Sequence, residues 1–259
     1  MDISFIIINY RSREFLGRCV ESIFKHAESF SFEIIVVNND EKPLEKISDS
    51  DNIQIIECNV NKGFSQAANL GAKKAIGKIL FFLNADTEIL NSNIRNIITI
   101  FADPDVGVAA PKLVLPNGSF QPWSSGCEIT VWDIIRNNLG CIKSKHFWFQ
   151  EKNSEIAWAS GAALAILKEV FDKCAGFDEN FFMYFEDVDL CKRIRNAGKK
   201  IILLSHVRVL HLGGQSKSSA KEQKVQYYQS QDYYFKKHFG LISVYMIKFL
   251  RKIALFFSK

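Results

Sequence analysis

Two short stretches of this 259-residue chain combine residue types that could do chemistry. In the first, at 79–88, Leu80, Phe81, Phe82 and Leu83 run straight into Asn84, Ala85 and Asp86. The apolar run reads as a buried strand. A carboxylate where such a strand leaves the core is poised over a cleft, because ligands of open α/β sheets bind outside the carboxyl ends of strands. Asn84 and Asp86 lie two apart and so face the same way on an extended backbone. One can hold a ribose hydroxyl while the other binds a divalent cation, Mn2+ or Mg2+, that bridges two phosphates and keeps water or substrate oxygens as its remaining ligands.

The second stretch is Glu186-Asp187-Val188-Asp189, at an expected helix start. Acids there complement the helix dipole, worth about 0.3–1 kcal/mol each, and Asp189 is assigned no more than that. Phe181, Phe182, Tyr184 and Phe185 precede the cluster. Aromatic neighbours desolvate a carboxylate and raise its proton affinity, as a general base requires. A metal-suited carboxylate and a base-suited one point to a transferase acting on an activated, phosphate-bearing donor.

The elements that must position these groups alternate through the first half. Residues 3–9, 33–38, 53–58 and 78–83 read as strands. Ser12 is placed to cap a helix whose apolar positions Leu16, Cys19, Val20, Ile23, Phe24 and Ala27 keep the three-to-four spacing. A second helix, 65–76, is entered from a turn at Gly63. Such alternation predicts an α/β fold with a Rossmann-like, mostly parallel central sheet flanked by helices. A helix is expected at 91–101, closed by Asp103-Pro104, after which the pattern loosens beyond Pro111. Further on, 158–167 reads as a strand, 168–174 and 185–197 as helices, and 200–204 and 207–210 as two strands.

Composition bounds the rest. Apolar residues make up 47 % and aromatics 13 %, and the net charge of +5 from 33 basic and 28 acidic residues favours anionic ligands without demanding nucleic acid. The cysteines at 19, 58, 127, 141, 174 and 191 have no metal-type spacing and read as reduced thiols, which places the protein in the cytoplasm. Asp2 stands where a secretory signal would carry basic residues, and no uncharged apolar run reaches the roughly 18 residues of a membrane span.

Taken together, the motifs resemble a known family. Asn61-Lys62-Gly63-Phe64, Ala68-Asn69, Gly71 and Asn84-Ala85-Asp86-Thr87 look like the donor half of an inverting family 2 glycosyltransferase with the GT-A fold. Gly176-Phe177-Asp178-Glu179 with Phe182, then Glu186 to Leu190 and Arg193, look like the acceptor half, and His211-Leu212-Gly213-Gly214 fits the end of a match running from Ile3 to Ser216. The Tyr-Tyr-Phe-Lys-Lys-His stretch at 233–238 is similar to the rhamnosyltransferase-like branch. The resemblance implies one catalytic domain over 1–215, with a nucleotide-sugar-binding half (1–110) and an acceptor-binding half (111–215), followed by a basic helical tail (216–259). It further implies transfer of a sugar, L-rhamnose from dTDP-rhamnose as first choice, to a glycan or lipid-linked saccharide in bacterial surface polysaccharide synthesis.

Carried onto this chain, the resemblance makes Asp187 the catalytic base and Glu186 the group that orients the acceptor. Asp86 becomes the metal ligand, with His211 completing the metal or diphosphate site. Asn84 occupies the first acidic position of the family's D-x-D motif, so its role shifts from charge to hydrogen bonding. Trp158 and Gly161 fall in the segment that lines the acceptor and sugar pocket. Asn9, Tyr10 and Arg11 approach the nucleotide, Tyr10 by stacking on the base, while Lys62 and Asn69 join them on the donor side. In the family an Asp ends the second strand and accepts the N3–H of uracil or thymine. Asn38 stands there, and its amide suits that base or another.

The aromatic insertion holding Trp123, Trp132, Phe147, Trp148 and Phe149 reads equally as an acceptor lid or as packing. In the tail, Lys248, Arg251, Lys252 and Lys259 recur at helical spacing opposite Phe249, Ile253, Phe256 and Phe257. That pattern suits an amphipathic helix lying on the inner face of the cytoplasmic membrane, or one docking on the protein's own body or a twin subunit. Two other functions fit an acid-bearing sheet. A nucleotidyltransferase lacks its Gly-rich pyrophosphate loop here, and a non-catalytic sugar-nucleotide or glycan-binding module would not need both Asp86 and Asp187.

Overall fold

The run at 3–9 sets the centre of the sheet. Ile3–Asn9 (β1) is buried along its whole length, as a strand covered on both faces must be, and its sequence is therefore continuously apolar and not alternating. The structure is a computed structural model that describes all residues except 45, 46, 48, 49, 139, 215–218, 258 and 259, and the side chains of 92, 138 and 253–257. After β1 come α1 (Arg13–His26), β2 (Phe32–Asn38), β3 (Ile53–Glu57), α2 (Phe64–Lys74), β4 (Ile79–Asn84) and β5 (Thr87–Ile89). The second half holds α3 (Asn96–Ile100), β6 (Val106–Val114), β7 (Ser125–Gly126), α4 (Val131–Asn138), α5 (Lys145–Phe149), β8 (Ser154–Ile156) and β9 (Trp158–Ala159). It closes with β10 (Ala163–Leu167), α6 (Lys168–Lys173), α7 (Glu186–Asn196), β11 (Lys200–His211), α8 (Ala220–Phe239) and α9 (Leu241–Phe257).

The main sheet runs β3-β2-β1-β4-β10-β6-β11-β5, with β8 also paired to β11. The first four strands of that order are parallel, and β10 enters antiparallel between β4 and β6. Alternate residues feed two cores. Ile6, Ile8, Ile35 and Val37 pack against Ala67, Ala68 and Ala72 of α2, whereas Phe5, Ile7, Ile34 and Val36 pack against Leu16, Cys19 and Val20 of α1. Gly71 lets α2 sit close: a methyl group there would lie 2.5 Å from Ile6 Cγ2. The cysteines are all free, and burial pushes the Cys19 and Cys191 thiols up to about 12.

Several expectations shift. Ser12 precedes α1, but its hydroxyl donates to Tyr10 O at 3.0 Å and caps nothing. The helix expected at 91–101 starts as a 3-10 turn, Ser92–Arg95, because the Asn91 amide reaches His206 O at 2.9 Å and does not cap it. The expected strand 158–167 breaks into β9 and β10 around Gly161. The two strands expected at 200–210 are one bulged strand, β11. Its register against β6 slips between Leu204 and Arg208, opposite Pro111 and Lys112. A proline lacks the N–H a central ladder needs, and the bulge falls where that donor is missing.

Residues beyond 215 do not stand apart. Ser219 and Glu222 form a reciprocal capping box that starts α8, and Tyr234 and Phe235 of that helix are fully buried in the core beside Phe185. On α9, Val244 and Ile247 face inward, while Leu241, Ile242, Tyr245, Met246 and Phe249 are exposed. Lys248 and Arg251 turn toward Asp232 of α8, at 3.5 and 2.6 Å. Two basic positions of the stripe thus pair with a carboxylate that α8 offers, a contact that suits docking on the protein's own body; Lys259 and the side chains of Ile253, Phe256 and Phe257 lie outside the described residues. Among the described residues no helix is long and apolar enough to cross a membrane.

Candidate active site

The carboxyl ends of β1 and β4 open onto a cleft of about 1230 Å³ that brings together Tyr10, Arg11, Asn84, Asp86, Trp158, Gly161, Glu186, Asp187 and His211. At its donor end, Asp86 follows β4 and is held by the end of β11: its Oδ2 accepts from Gly213 N–H at 3.0 Å, and its carbonyl accepts from Leu212 N–H at 3.1 Å. His211 Nδ1 lies 2.8 Å from Gln121 Oε1, so the ring donates there and its Nε2 carries the lone pair. That nitrogen faces Asp86 Oδ1 at 3.5 Å and the Asn84 amide at 3.4 Å.

A lone pair and a carboxylate facing one another, both nearly buried, suit a cation between them. Their chemistry, one oxygen and one nitrogen donor beside an amide, fits Mn2+ or Mg2+ completed by substrate oxygens. Among the described residues no group of three or more His, Cys, Asp or Glu side chains is placed to hold a metal ion by itself. The histidine's other nitrogen held by a carbonyl is the usual support of a metal-ligating imidazole.

The other end is built on strain. Tyr184 and Phe185 both have positive φ, 70° and 65°, a conformation that costs a non-glycine residue roughly 1–3 kcal/mol. This turn delivers Glu186 and Asp187 at the start of α7, with Phe185 as a helix N-cap that offers no side-chain acceptor. Asp187 Oδ2 accepts from Gly161 N–H at 2.9 Å, and Oδ1 accepts from Val188 N–H at 2.7 Å. The break between β9 and β10 exists for this contact. Gly161 is also pinched, because a methyl there would lie 3.2 Å from the Phe64 ring.

Burial raises the proton affinity of Asp187, and the two backbone N–H groups hold it back. Burial and the neighbouring Asp187 charge raise Glu186 well above the carboxylate range. Glu186 is only 6 % exposed, and its Oε2 has no partner among the described residues. Both carboxyls of the pair thus hold a proton more readily than an exposed carboxylate, while the backbone N–H groups on Asp187 favour its ionised form.

Not every expected site residue reaches the cleft. Asn38 is fully buried: its carbonyl oxygen accepts from Asn9 at 2.8 Å, and its NH₂ donates to Lys42 O at 2.8 Å and Glu57 Oε2 at 2.6 Å. Its amide is spent inside the sheet, and neither it nor Asn9, whose NH₂ donates to it, lines the cleft. Asn69 is a strut between the two halves, bonded to Phe177 N and O and to Glu179. Lys62 donates its backbone N–H to Asn39 Oδ1 at 2.8 Å, and its side chain is not in the lining. Tyr10 and Arg11 do line the cleft, with the guanidinium 5.1 Å above the ring.

Other lining residues had no role assigned from the sequence. Asn39 and Asn61, the latter heading the Asn61-Lys62-Gly63-Phe64 motif, line the cleft where Asn38 does not and are bonded to each other at 3.0 Å. Gln121 comes from the loop after β6, and Tyr227, Gln231 and Arg251 come from α8 and α9. Gln121 carried no signal, since a lone glutamine after a loosened pattern looks like surface. Trp123, in the aromatic insertion, lines the cleft and packs edge-on against Trp148 at 5.3 Å.

The comparisons with known proteins agree with this arrangement. The family model described as glycosyl transferase family 2 matches residues 4–173. The low-salt glycan biosynthesis hexosyltransferase Agl10 of Haloferax volcanii is 25 % identical over 214 residues, covering 81 % of this chain and 67 % of its own. The N-acetylglucosaminyl-diphospho-decaprenol L-rhamnosyltransferase of Mycobacterium tuberculosis is 29 % identical over 116 residues, 42 % of this chain and 38 % of its own. The chain therefore spans two thirds of the first relative's length and much less of the second's. Among solved structures, GalNAc-T7 with UDP, GalNAc and Mn2+ superimposes with a TM-score of 0.63 at 17 % identity, over 89 % of this chain and 46 % of that one. The fold is GT-A.

Proposed function

This chain belongs to glycosyl transferase family 2, and from that premise we propose that it moves one sugar from a nucleotide-diphospho-sugar to a hydroxyl of a saccharide or lipid-linked acceptor, inverting the anomeric centre. The observation that carries the proposal is that the Asp86–His211 pair and Asp187 open into one cleft. Asp187 takes the proton of the acceptor hydroxyl as its oxygen attacks the anomeric carbon, and the nucleoside diphosphate leaves from the opposite face. Glu186 beside it hydrogen-bonds the acceptor and fixes its approach. Asp86 and His211, with Asn84, would hold a divalent cation that offsets the charge of the leaving diphosphate.

The sugar we propose is L-rhamnose, carried on dTDP and destined for a bacterial surface glycan. The Tyr-Tyr-Phe-Lys-Lys-His stretch at 233–238 supports it, as does likeness to a relative named as an L-rhamnosyltransferase. With the Asn38 amide spent internally, reading of the base passes to Asn39, Asn61 and the Tyr10 ring. Calorimetric titration of dTDP- and UDP-sugars with Mn2+ tests the proposal. Asp86→Ala is expected to weaken Mn2+-dependent nucleotide binding by at least about tenfold, and a variant that titrates like the parent would remove Asp86 from the site.

The outward face of α9 supports peripheral contact with an anionic membrane, since Ile242, Tyr245 and Phe249 are exposed on one side of the helix and Lys252, one turn beyond Phe249, is exposed as well. The intact protein is expected to sediment with phosphatidylglycerol vesicles, and joint replacement of those three residues by Ser to release it. Equal sedimentation of parent and triple variant would retire the contact.

A further inference from the structure

The turn that opens α2 is fastened on the donor side. Asn39 Nδ2 donates to Asn61 Oδ1 at 3.0 Å and to Gly63 O at 3.2 Å, and Gly63 N–H donates to Asn61 Oδ1 at 2.9 Å. Phe64, the next residue, reaches the other half of the site: its N–H donates to Phe182 O at 2.8 Å. The two segments meet so closely that Gly63 admits no side chain. A methyl there would lie 2.5 Å from the Phe182 carbonyl oxygen, and Gly63 holds a φ of 79°. Two residues past Phe182 the strained turn at Tyr184 and Phe185 begins, and that turn delivers Asp187.

The Phe64 ring meets the second support of the same carboxylate. Gly161 donates its N–H to Asp187 Oδ2 at 2.9 Å. A methyl on Gly161 would lie 3.2 Å from Phe64 Cζ and 3.7 Å from Asp187 Cβ, so the glycine is held between the ring and the base. Behind the ring, Phe177 packs against it edge-on at 5.5 Å and against Phe82 of β4 at 5.1 Å. Asn69 fixes Phe177 in turn through its N–H and carbonyl. The ring is therefore backed by the centre of the sheet and cannot retreat from Gly161 without disturbing that stack. A half-buried aromatic serving only as filling would need contact with one of these supports; Phe64 bears on both.

We propose that Phe64 is a positioning residue for Asp187: it braces the Gly161 N–H with its ring and the turn before α7 with its own N–H, so that the carboxylate faces the acceptor hydroxyl. The inference rests on the sugar transfer proposed above and deepens it. By resemblance Phe64 stands in a donor-half motif, so one brace joins the wall that takes the nucleotide to the group that takes the proton.

Phe64→Leu tests this in the full chain, because leucine keeps the backbone N–H and an apolar side chain but withdraws the ring from Gly161. In radiolabelled-donor assays kcat is expected to fall by about tenfold or more, toward the roughly hundredfold cost of a misplacement of about 1 Å. The KM for the donor and the affinity for dTDP should stay within about twofold. In an Asp187→Asn background the same substitution should cost less than about twofold, since a residue that acts through Asp187 has nothing left to position. Equal fractional losses in the two backgrounds would make Phe64 a packing residue and overturn the proposal, as would parental kcat in Phe64→Leu.

Carbon-13 titration of the Asp187 carboxyl, identified by its absence in Asp187→Asn, needs no turnover. The titratable groups beside it on α7 are Glu186 and Cys191, whose thiol burial keeps neutral. From the β9–β10 break and from α2 it meets Gly161 and Phe64, which do not titrate. The Gly161 N–H favours the ionised carboxylate, so its displacement in Phe64→Leu should move the titration midpoint upward. An unmoved midpoint overturns the brace. A raised midpoint in a chain that transfers no sugar would instead refute the reaction and leave the brace on Asp187 standing.

Discussion

Asp187→Asn is expected to reduce sugar transfer by about a thousandfold, within the range of roughly 10²–10⁴ that a positioned general base contributes, while nucleotide affinity stays within twofold. The amide keeps the shape of the carboxylate, and its oxygen can still accept from Gly161 N–H, now 2.9 Å away. What it lacks is the capacity to take a proton. Because burial raises the proton affinity of Asp187, the parent's turnover should rise with pH along an acid limb whose midpoint lies above the ordinary carboxylate value of about 3.9. Glu186→Gln is the informative contrast. A glutamine keeps the size and hydrogen-bonding reach of Glu186, which in the proposed reaction orients the acceptor and takes no proton, so turnover should fall far less. Radiolabelled-donor transfer assays across pH, paired with calorimetry, separate the two. A Glu186→Gln loss as deep as that of Asp187→Asn would mean that the roles are exchanged or shared.

Those two carboxylates were legible because their signals are local. Asp86 ends an apolar run and Asp187 starts a helix, so sequence order alone places them at the mouths of elements. The parallel half of the sheet was legible for the same reason, each strand being a run buried on both faces. What could not be read is whatever depends on contacts made through space. Asn38 stands at the right register, yet its amide is used by Asn9, Lys42 and Glu57, and no pattern in 33–38 announces that Glu57 will reach across. β6 hid behind Pro111 because the bulge that excuses a proline belongs to β11, some ninety residues later. Gln121 and Arg251 gain meaning only from His211 and Asp232, their partners in other segments. The tail's cations were legible as one face of a helix, but periodicity identifies which residues share a face and not whether that face meets a membrane or α8.

His238 and Asp189 show the same limit with a larger energetic consequence. Asp189, assigned only to the helix dipole, is fully buried and takes hydrogen bonds from Arg193 Nε, Lys237 Nζ and His238 Nε2, each at 2.7 Å. Lys237 also reaches Asp178 at 2.7 Å. The carboxylate thus joins α7, which carries the base, to α8, which walls the cleft. Asp189→Ala is expected to lower stability by about 3–5 kcal/mol, because removing one member of a buried ion cluster leaves the others charged and unanswered. Burial pushes the Asp189 carboxyl upward, but the His238 hydrogen bond and the Arg193 and Lys237 charges outweigh it, so its pKa lies below the ordinary value. The sign follows: this stabilisation is fully present above the unfolded-state pKa of about 3.9 and is lost as pH falls through the lower folded-state value. Urea unfolding followed by circular dichroism should therefore show the parent losing stability below about pH 4 and Asp189→Ala losing less over that interval, from a lower start. A variant within 1 kcal/mol of the parent at neutral pH would show that the cluster merely tolerates its burial. A full loss would mean that the buried cluster joining α7 to α8 is a main source of the fold's stability.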